Sequence, residues 1–266
     1  MKKALIVVVA ISFGLVSQLV IAAPNSLVAK KASILSKMHK KAKKALVNAA
    51  QDKTFEQFFA TTDPAAKKGF KGKIDQLTLH VQKRFHVEEM CLISAAGPEL
   101  TRIVGNEIAP DSDLSPDESG AVFFKPSFAK KARSTYISPL YMSPDADKWV
   151  LAYVTPIQVG GAKRAILHYE HGLNVYQQAL SKGVKGDSQF IVAVDKDGWV
   201  VADSRQAIGV DKKGEAEDQK AYFKQFDLGG KSHQQVIQAI NAGQKIAGYD
   251  AAFKQVERWT IIAFEK

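Results

Sequence analysis

The stretch from Ser134 to Glu170 decides the fold, and it reads STYISPLYMSPDADKWVLAYVTPIQVGGAKRAILHYE. Two groups of turn residues divide it, Ser-Pro-Asp-Ala-Asp at 143–147 and Gly-Gly at 160–161. Pro, Asp and Gly favour turn dihedrals and serve a strand interior poorly. The stretch therefore predicts three consecutive antiparallel strands, at roughly Thr135–Met142, Trp149–Ile157 and Lys163–Glu170.

The middle strand has two different faces, because side chains alternate along a strand. One face is aromatic with polar tips, and it holds Trp149, Leu151, Tyr153 and Thr155. The other face is aliphatic, and it holds Val150, Ala152 and Val154. Neither face is charged, so we expect both to be covered. The aromatic face has the character of a small-molecule pocket wall. The alternative is an ordinary sheet core, which is what most strand aromatics form.

Helical patterns come before this sheet and further strands follow it. Residues 26–49 have apolar side chains at helical spacing between lysines, which predicts a helix. Asp63-Pro64 predicts the start of another helix. We expect Gly69 and Gly72 to interrupt that helix before it resumes over Ile74–Phe85. The remaining predicted strands are Val87–Ile93, Glu99–Val104, Gln189–Val194, Trp199–Ala202, Gln244–Gln255 and Arg258–Glu265. Sheets grouped with helices in this way are typical of the α+β class.

The N-terminus predicts export. Lys2-Lys3 is followed by an uncharged run from Ala4 to Ala23, the pattern of a secretory signal peptide covering residues 1–22. The same run is about long enough to stay in a membrane as an uncleaved anchor, which is the alternative. In either case we expect a periplasmic or secreted protein.

The positive charge is concentrated near the N-terminus. The formal net charge is +10, but nine lysines and no acid precede residue 51. Two of them are Lys2 and Lys3 and the other seven follow Pro24, so residues 51–266 are nearly neutral. Nucleic-acid binders spread cations over a face, so we predict no nucleic-acid partner. The lysines could instead dock on a membrane surface or an acidic protein, or form a solvated helix face. They are Lys30, Lys31, Lys37, Lys40, Lys41, Lys43 and Lys44.

This order of elements resembles the double Cache sensor domain, the extracytoplasmic ligand-binding part of many bacterial chemoreceptors and histidine kinases. The resemblance covers roughly residues 26–266, and its best pieces are Gly97–Arg102, Tyr136–Ser138, Trp149–Ile157 and Ala165–Leu173. It implies an α+β fold with a long N-terminal helix and two PAS-like antiparallel-sheet units. The implied domains are a helical segment at 23–87, a membrane-distal unit at 88–170, a linker helix at 171–187 and a membrane-proximal unit at 188–266.

The resemblance also implies a ligand site in the distal unit. Where amino-acid-binding members have Arg-x-Trp-Tyr, this chain has Lys125-Pro126-Ser127-Phe128, and where they have Tyr-x-Asp, it has Tyr136-Ile137-Ser138. An acid follows at Glu170, so a cation, a tyrosine and an acid remain while the amine-binding Asp is replaced. We expect a small polar ligand, a carboxylate or an amino-acid-like molecule. The implied site residues are Lys125, Phe128, Tyr136, Ser138, Trp149, Tyr153 and Glu170.

We predict no catalysis and no cofactor, because the sequence contains no Gly-x-Ser-x-Gly, His-Glu-x-x-His or P-loop motif. His168 and Glu170 share a strand face while His171 points away, so this run alone does not form a three-ligand metal site. The single cysteine, Cys91, lies in an apolar run and is expected to be a buried thiol. Members of the family continue into a transmembrane helix and an output module. Here we expect the sensing domain alone, presenting its ligand to a partner, with a homodimer through the long helix implied by the resemblance.

Overall fold

The computed structural model describes residues 12–85, 87–184, 186–208 and 223–266. The start of the predicted signal peptide (1–11) and a segment of the predicted proximal unit (209–222) lie outside the described residues. The α-helices are α1 Ser12–Ala49, α2 Lys53–Ala60, α3 Pro64–Phe85, α4 Phe124–Phe128, α5 Leu173–Ser181 and α6 His233–Asn241. The strands are β1 Glu89–Ser94, β2 Glu99–Val104, β3 Glu107–Ile108, β4 Tyr136–Ser143, β5 Lys148–Val159, β6 Ala162–Gly172, β7 Gln189–Asp195, β8 Val200–Asp203, β9 Asp250–Val256 and β10 Trp259–Glu265.

Helix α3 begins where the sequence predicts and continues further than predicted. The Asp63 carboxylate accepts hydrogen bonds from the backbone N–H groups of Ala65 and Ala66, which satisfies the first turn. The expected interruption at Gly69 and Gly72 is wrong, because α3 runs unbroken to Phe85. A helical glycine costs only about 1 kcal/mol, which burial of the helix's apolar side chains offsets.

The first sheet has six strands in the order β3-β2-β1-β6-β5-β4, and every neighbouring pair is antiparallel. The three strands predicted between Ser134 and Glu170 are confirmed as β4, β5 and β6. Strand β5 is buried from Trp149 to Ile157, so both of its faces are covered, as its uncharged sequence predicts.

The second sheet has four antiparallel strands in the order β8-β7-β10-β9. The β7–β8 hairpin turns at Gly198, whose φ of 90° is one that L-residues rarely adopt. The predicted strand over Gln244–Gln255 starts later than expected, at Asp250, because Ile246 and Tyr249 pair across a tight turn. Helix α6 packs on this sheet through Val236 against the stacked rings of β7 and β10.

The chain divides into two compact units. Among the described residues, the larger unit contains Lys37–Val175 and with it the six-stranded sheet. The smaller unit contains the chain up to Ser36, Tyr176–Ile208 and the C-terminal residues from 223, and with them the four-stranded sheet. None of the helices in the described part of the chain has a stretch long and apolar enough to cross a membrane.

One member of the predicted lysine surface does not belong to it. Lys31 is only 2% exposed, and its Nζ donates to the backbone carbonyls of Ala179 at 3.1 Å and Lys182 at 2.5 Å. Its side chain reaches the carbonyls at the C-terminal end of α5, where basic groups satisfy acceptors that the helix leaves open, so Lys31 is a structural residue. Lys43 is half-buried, whereas Lys30, Lys37, Lys40, Lys41 and Lys44 are exposed.

Candidate functional site

The two faces of the six-stranded sheet have different covers. On one face, which we call the helix face, the ring of Tyr153 lies under α1, and His39 Nδ1 is 2.5 Å from the Tyr153 hydroxyl. On the other face, which we call the α4 face, the rings of Phe123 and Phe124 pack on the aliphatic side chains of the sheet. The sheet side chains in that apolar cluster are Cys91, Ile93, Ala152, Val154 and Ile166.

Five polar side chains lie together on the α4 face, and we call them the buried polar cluster. They are Glu89, Cys91, Tyr141, His168 and Glu170. The pairing of β1 with β6 assembles most of the cluster, because Cys91 lies directly opposite His168, and Glu89 lies opposite Glu170. Residues two apart on a strand share a face, so both pairs point to the same side of the sheet.

Hydrogen bonds connect the cluster. The Cys91 thiol donates to Glu89 Oε1 at 2.8 Å, and the Tyr141 hydroxyl donates to Glu170 Oε1. The Tyr141 oxygen also lies 3.0 Å from His168 Nε2. Because the single proton of the tyrosine is used on Glu170, Nε2–H of His168 donates to the tyrosine oxygen. This assigns the tautomer in which Nδ1 of His168 carries the lone pair.

Burial shifts the pKa values of the cluster toward neutral forms. Burial, with the charge of Glu170 next, raises the pKa of Glu89 well above its usual range. Burial also raises the pKa of Glu170 to about 7 and lowers the pKa of His168 to about 3. Although His168 Nε2 and Glu170 Oε1 are 3.6 Å apart, a neutral imidazole makes this contact a polar one and not an ion pair at neutral pH.

Two atoms of the cluster have no hydrogen-bond partner among the described residues, His168 Nδ1 and Glu170 Oε2. Their side chains are 1% and 2% exposed. Buried polar atoms are nearly always satisfied, so an open pair on one sheet face indicates capacity to bind something polar. Phe123 lies over this position, with its ring stacked on His168 at a centroid distance of 4.2 Å.

The structure brings part of the predicted site together on the α4 face. Phe128 and Tyr136 pack against the apolar cluster of that face, and Glu170 belongs to the buried polar cluster. Ser138 is buried, and its hydroxyl is occupied by the backbone: it donates to the Pro139 carbonyl at 2.6 Å and accepts from Ala152 N–H at 2.9 Å.

The other predicted residues lie elsewhere. Trp149 and Tyr153 are buried, and the alternation of β5 puts them on the opposite side from Ala152 and Val154, on the helix face. Lys125 is exposed on α4. The seven residues therefore do not line a single pocket, because the aromatic face of β5 is the face that α1 covers.

Four residues of the buried polar cluster were not predicted as site residues: Glu89, Cys91, Tyr141 and His168. A weak signal was present, since Glu89 and Cys91 alternate with apolar residues as His168 and Glu170 do. That alternation shows that each pair shares a face, but the β1–β6 register that joins the pairs spans more than seventy residues of sequence.

No protein-family model and no curated protein sequence matches the chain. Solved structures do match it in fold, and those described here are sensory domains. The sensory domain of the Campylobacter jejuni chemoreceptor Tlp3 with isoleucine bound has a TM-score of 0.72 at 11% identity, covering 98% of each chain. The ligand-binding domain of the Pseudomonas fluorescens chemoreceptor CtaA in complex with L-isoleucine has a TM-score of 0.61 at 14% identity, covering 96% of each chain.

The sensor domain of the V. cholerae histidine kinase DctB also matches, with a TM-score of 0.59 at 12% identity over 93% of this chain and 97% of that one. The chain therefore has the double Cache sensor-domain fold, as the resemblance implied: a long N-terminal helix and two antiparallel sheets. At these identities the likeness describes the fold, and the ligand has to be argued from this chain's own residues.

Proposed function

We propose that the chain is an extracytoplasmic sensory domain that binds a small organic ligand on the α4 face of its six-stranded sheet. The observation that carries the proposal is the buried polar cluster, which has open hydrogen-bond capacity at Glu170 and His168 beneath an aromatic cover. Apolar walls with a few placed polar groups are the usual composition of small-molecule sites. We propose that the α4 face binds the ligand and does not catalyse a reaction on it.

The polarity of the cluster favours a ligand that carries a protonated amine and an apolar part. Glu170 Oε2 is an open acceptor. The apolar cluster on the same sheet face offers apolar contact, and it includes Ala152, opposite Glu170, and Val154, opposite His168. A buried carboxylate and an ammonium stabilise each other when both are removed from water. The Phe123 ring covers this position, so we expect it to move when a ligand binds.

A ligand carboxylate finds less support than an amine. Lys125, the cation that the resemblance implies for the site, is exposed on α4. Arg102 lies on the same face opposite Cys91, but its guanidinium is already paired with Asp145 at 2.8 Å. A ligand carboxylate would therefore have no free buried cation to pair with in the described part of this face.

The proposed location rests on the sequence pattern at the N-terminus. Lys2-Lys3 and the uncharged run after it support export, through either a cleaved signal or a retained anchor. The structure supports the sensory role through the fold that this chain shares with sensory domains of chemoreceptors. The homodimer and the docking of the exposed lysines on a membrane or acidic partner stay predictions.

A thermal-shift screen of the exported part of the chain tests the proposal. The panel contains amino acids, amines, small carboxylates and purines, with EDTA present in every well. It includes L-isoleucine beside 2-methylbutylamine, the same side chain without the carboxylate. A ligand that binds only the folded state stabilises it by about 2.7 kcal/mol at a hundred times its dissociation constant.

We expect the amine-bearing compounds to raise the melting midpoint, and Glu170→Gln to abolish that rise. Glu107→Gln is the matched control, because Glu107 is an exposed glutamate on the same sheet and the substitution is identical. A silent panel, or a rise that survives Glu170→Gln unchanged, would contradict the proposal. Silence would favour the exposed lysines of α1 as the working surface.

A further inference from the structure

Three side chains of different chemistry converge within the buried polar cluster. A carboxylate oxygen of Glu89, Sγ of Cys91 and a ring nitrogen of His168 all lie within 4.8 Å of one another. Each of these residues is more than 95% buried. The geometry follows from the sheet, because Cys91 and His168 are direct cross-strand partners, and Glu89 shares the face of Cys91 two residues earlier.

A second observation points to a missing partner at the same place. His168 Nδ1 carries a lone pair and has no hydrogen-bond partner among the described residues, although the side chain is fully enclosed. Its other nitrogen donates to Tyr141, which in turn donates to Glu170. Metal-binding histidines characteristically donate their second N–H in this way to an oxygen that fixes the ring and its tautomer.

We propose that Glu89, Cys91 and His168 form a binding site for a divalent transition-metal ion of the zinc class. Thiolate and imidazole ligands favour zinc, cobalt or copper over magnesium and calcium, which prefer oxygen. Binding forms a metal–sulfur and a metal–oxygen bond and releases to solvent the Cys91 thiol proton and any proton on the Glu89 carboxyl group. The S–H···O hydrogen bond to Glu89 is thereby replaced by coordination. One thiolate and one carboxylate then balance the charge of the ion.

The site differs from the run that the sequence analysis excluded. The side chain of His171 does not converge with those of His168 and Glu170, because it points to the helix face. There its ring centroid lies 5.7 Å from that of Tyr153. The ligands that complete the set come from β1. The inference goes beyond the proposed sensory role. It shares the open His168 Nδ1 with that proposal but does not need Glu170 Oε2, the atom at which the ligand amine is placed.

Cobalt spectroscopy on the unmodified chain tests this site directly. Co²⁺ bound to a thiolate gives a charge-transfer band in the near ultraviolet, and tetrahedral Co²⁺ gives strong visible bands. The chain has one cysteine, so a thiolate-to-cobalt band can come only from Cys91. Because the site is enclosed, Co²⁺ is added both to the native protein and during refolding, with a phosphine reductant that contains no thiol.

We expect one equivalent of Co²⁺ to produce both bands and one equivalent of Zn²⁺ to remove them, with native circular dichroism throughout. Cys91→Ser should remove the charge-transfer band. His168→Gln should weaken Zn²⁺ binding by more than about 100-fold, the upper end of losses at supporting residues. The control is His80→Gln, the same substitution at an exposed histidine of α3, which should change neither the bands nor the affinity.

The proposal is overturned if neither route of Co²⁺ addition gives a thiolate band. It is also overturned if the visible bands are lost in His80→Gln and kept in His168→Gln, which would assign the ion to the surface. The wild-type spectrum needs no variant, so a Cys91 or His168 variant that fails to fold leaves the test intact. Because the ligand screen contains EDTA, failure of the metal site leaves the proposed sensory function standing, and the reverse also holds.

Discussion

His171 shows how one buried side chain makes stability depend on pH. Burial, and after it the charges of His39 and Lys41, lower the pKa of His171 to about 4, against about 6.5 in an unfolded chain. Between these values the unfolded state binds the extra proton, so stability is complete above the unfolded pKa and falls as pH drops toward 4. The loss from this residue is about 3 kcal/mol.

We predict that His171→Phe removes about 3 kcal/mol of the decrease in the free energy of unfolding between neutral pH and pH 4. Chemical unfolding at a series of pH values between neutrality and 4 measures it. The exposed His80 supplies the control substitution, His80→Phe, which should leave the slope as it is in the wild type. An acid slope that is the same in His171→Phe as in the wild type would show that other groups set it.

Thr101 is a second residue whose role is set by one contact. Its hydroxyl donates to Asp75 Oδ1, and Lys71 pairs with the other carboxylate oxygen at 3.1 Å. Thr101→Val keeps the shape and removes the donor, leaving a buried acceptor unsatisfied. We predict a loss of about 1–3 kcal/mol in the free energy of unfolding, whereas Thr62→Val at an exposed site should stay within about 0.5 kcal/mol. Equal effects of the two changes in urea titrations would contradict this account.

The sequence predicts some features of the buried polar cluster at the level of single residues, but not the contacts between its two strands. The alternation of His168, Glu170 and His171 correctly predicted which side chains share a strand face. It could not reveal that Glu89 and Cys91 lie opposite them, because that depends on the register between two strands far apart in sequence. Burial of Cys91 was predicted from its apolar neighbours, but its contact with Glu89 was not.

At the scale of elements, the end of α5 depends on a side chain from α1. Lys31 Nζ donates to the carbonyls of Ala179 and Lys182. Both lie at the C-terminal end of α5, where carbonyls have no N–H donor within the helix. We predict that Lys31→Met lowers the free energy of unfolding by about 1–3 kcal/mol, because Met keeps the apolar stem but leaves these carbonyls without a donor.

Lys30→Met is the matched control for this change, since Lys30 is the exposed neighbour on the same helix. Equilibrium unfolding in urea compares the two variants with the wild type. If Lys30→Met costs as much as Lys31→Met, the loss comes from the helix charge and not from the contact at the end of α5.

Turn chemistry made the elements around Ser134–Glu170 predictable, because Pro, Asp and Gly mark the ends of β4, β5 and β6 without reference to the rest of the molecule. The same reasoning failed at Gly69 and Gly72, where packing of α3 outweighs a weak local preference. Strand β9 begins at Asp250 and not at Gln244, because Ile246 and Tyr249 pair across a tight turn. The apolar pattern of the sequence does not predict this pairing.

At the scale of the whole molecule, the order of elements was enough to predict the double Cache fold, and matching sensory domains with TM-scores of 0.59–0.72 confirm it. The face of the sheet that could hold a ligand was not predictable in the same way. Both faces of β5 are uncharged, and only the tertiary structure shows that α1 covers the aromatic face and α4 covers the aliphatic one.

Amide hydrogen exchange, measured with and without a compound that raises the melting midpoint, shows which face of the six-stranded sheet holds the ligand. If the ligand lies beneath α4, as we propose, amide exchange slows in residues 121–129 and in neighbouring β6. Exchange in α2 should be unchanged. Protection confined to α1, α2 and α3, with α4 unaffected, would contradict the account, because it would place the ligand on the helix side of the sheet.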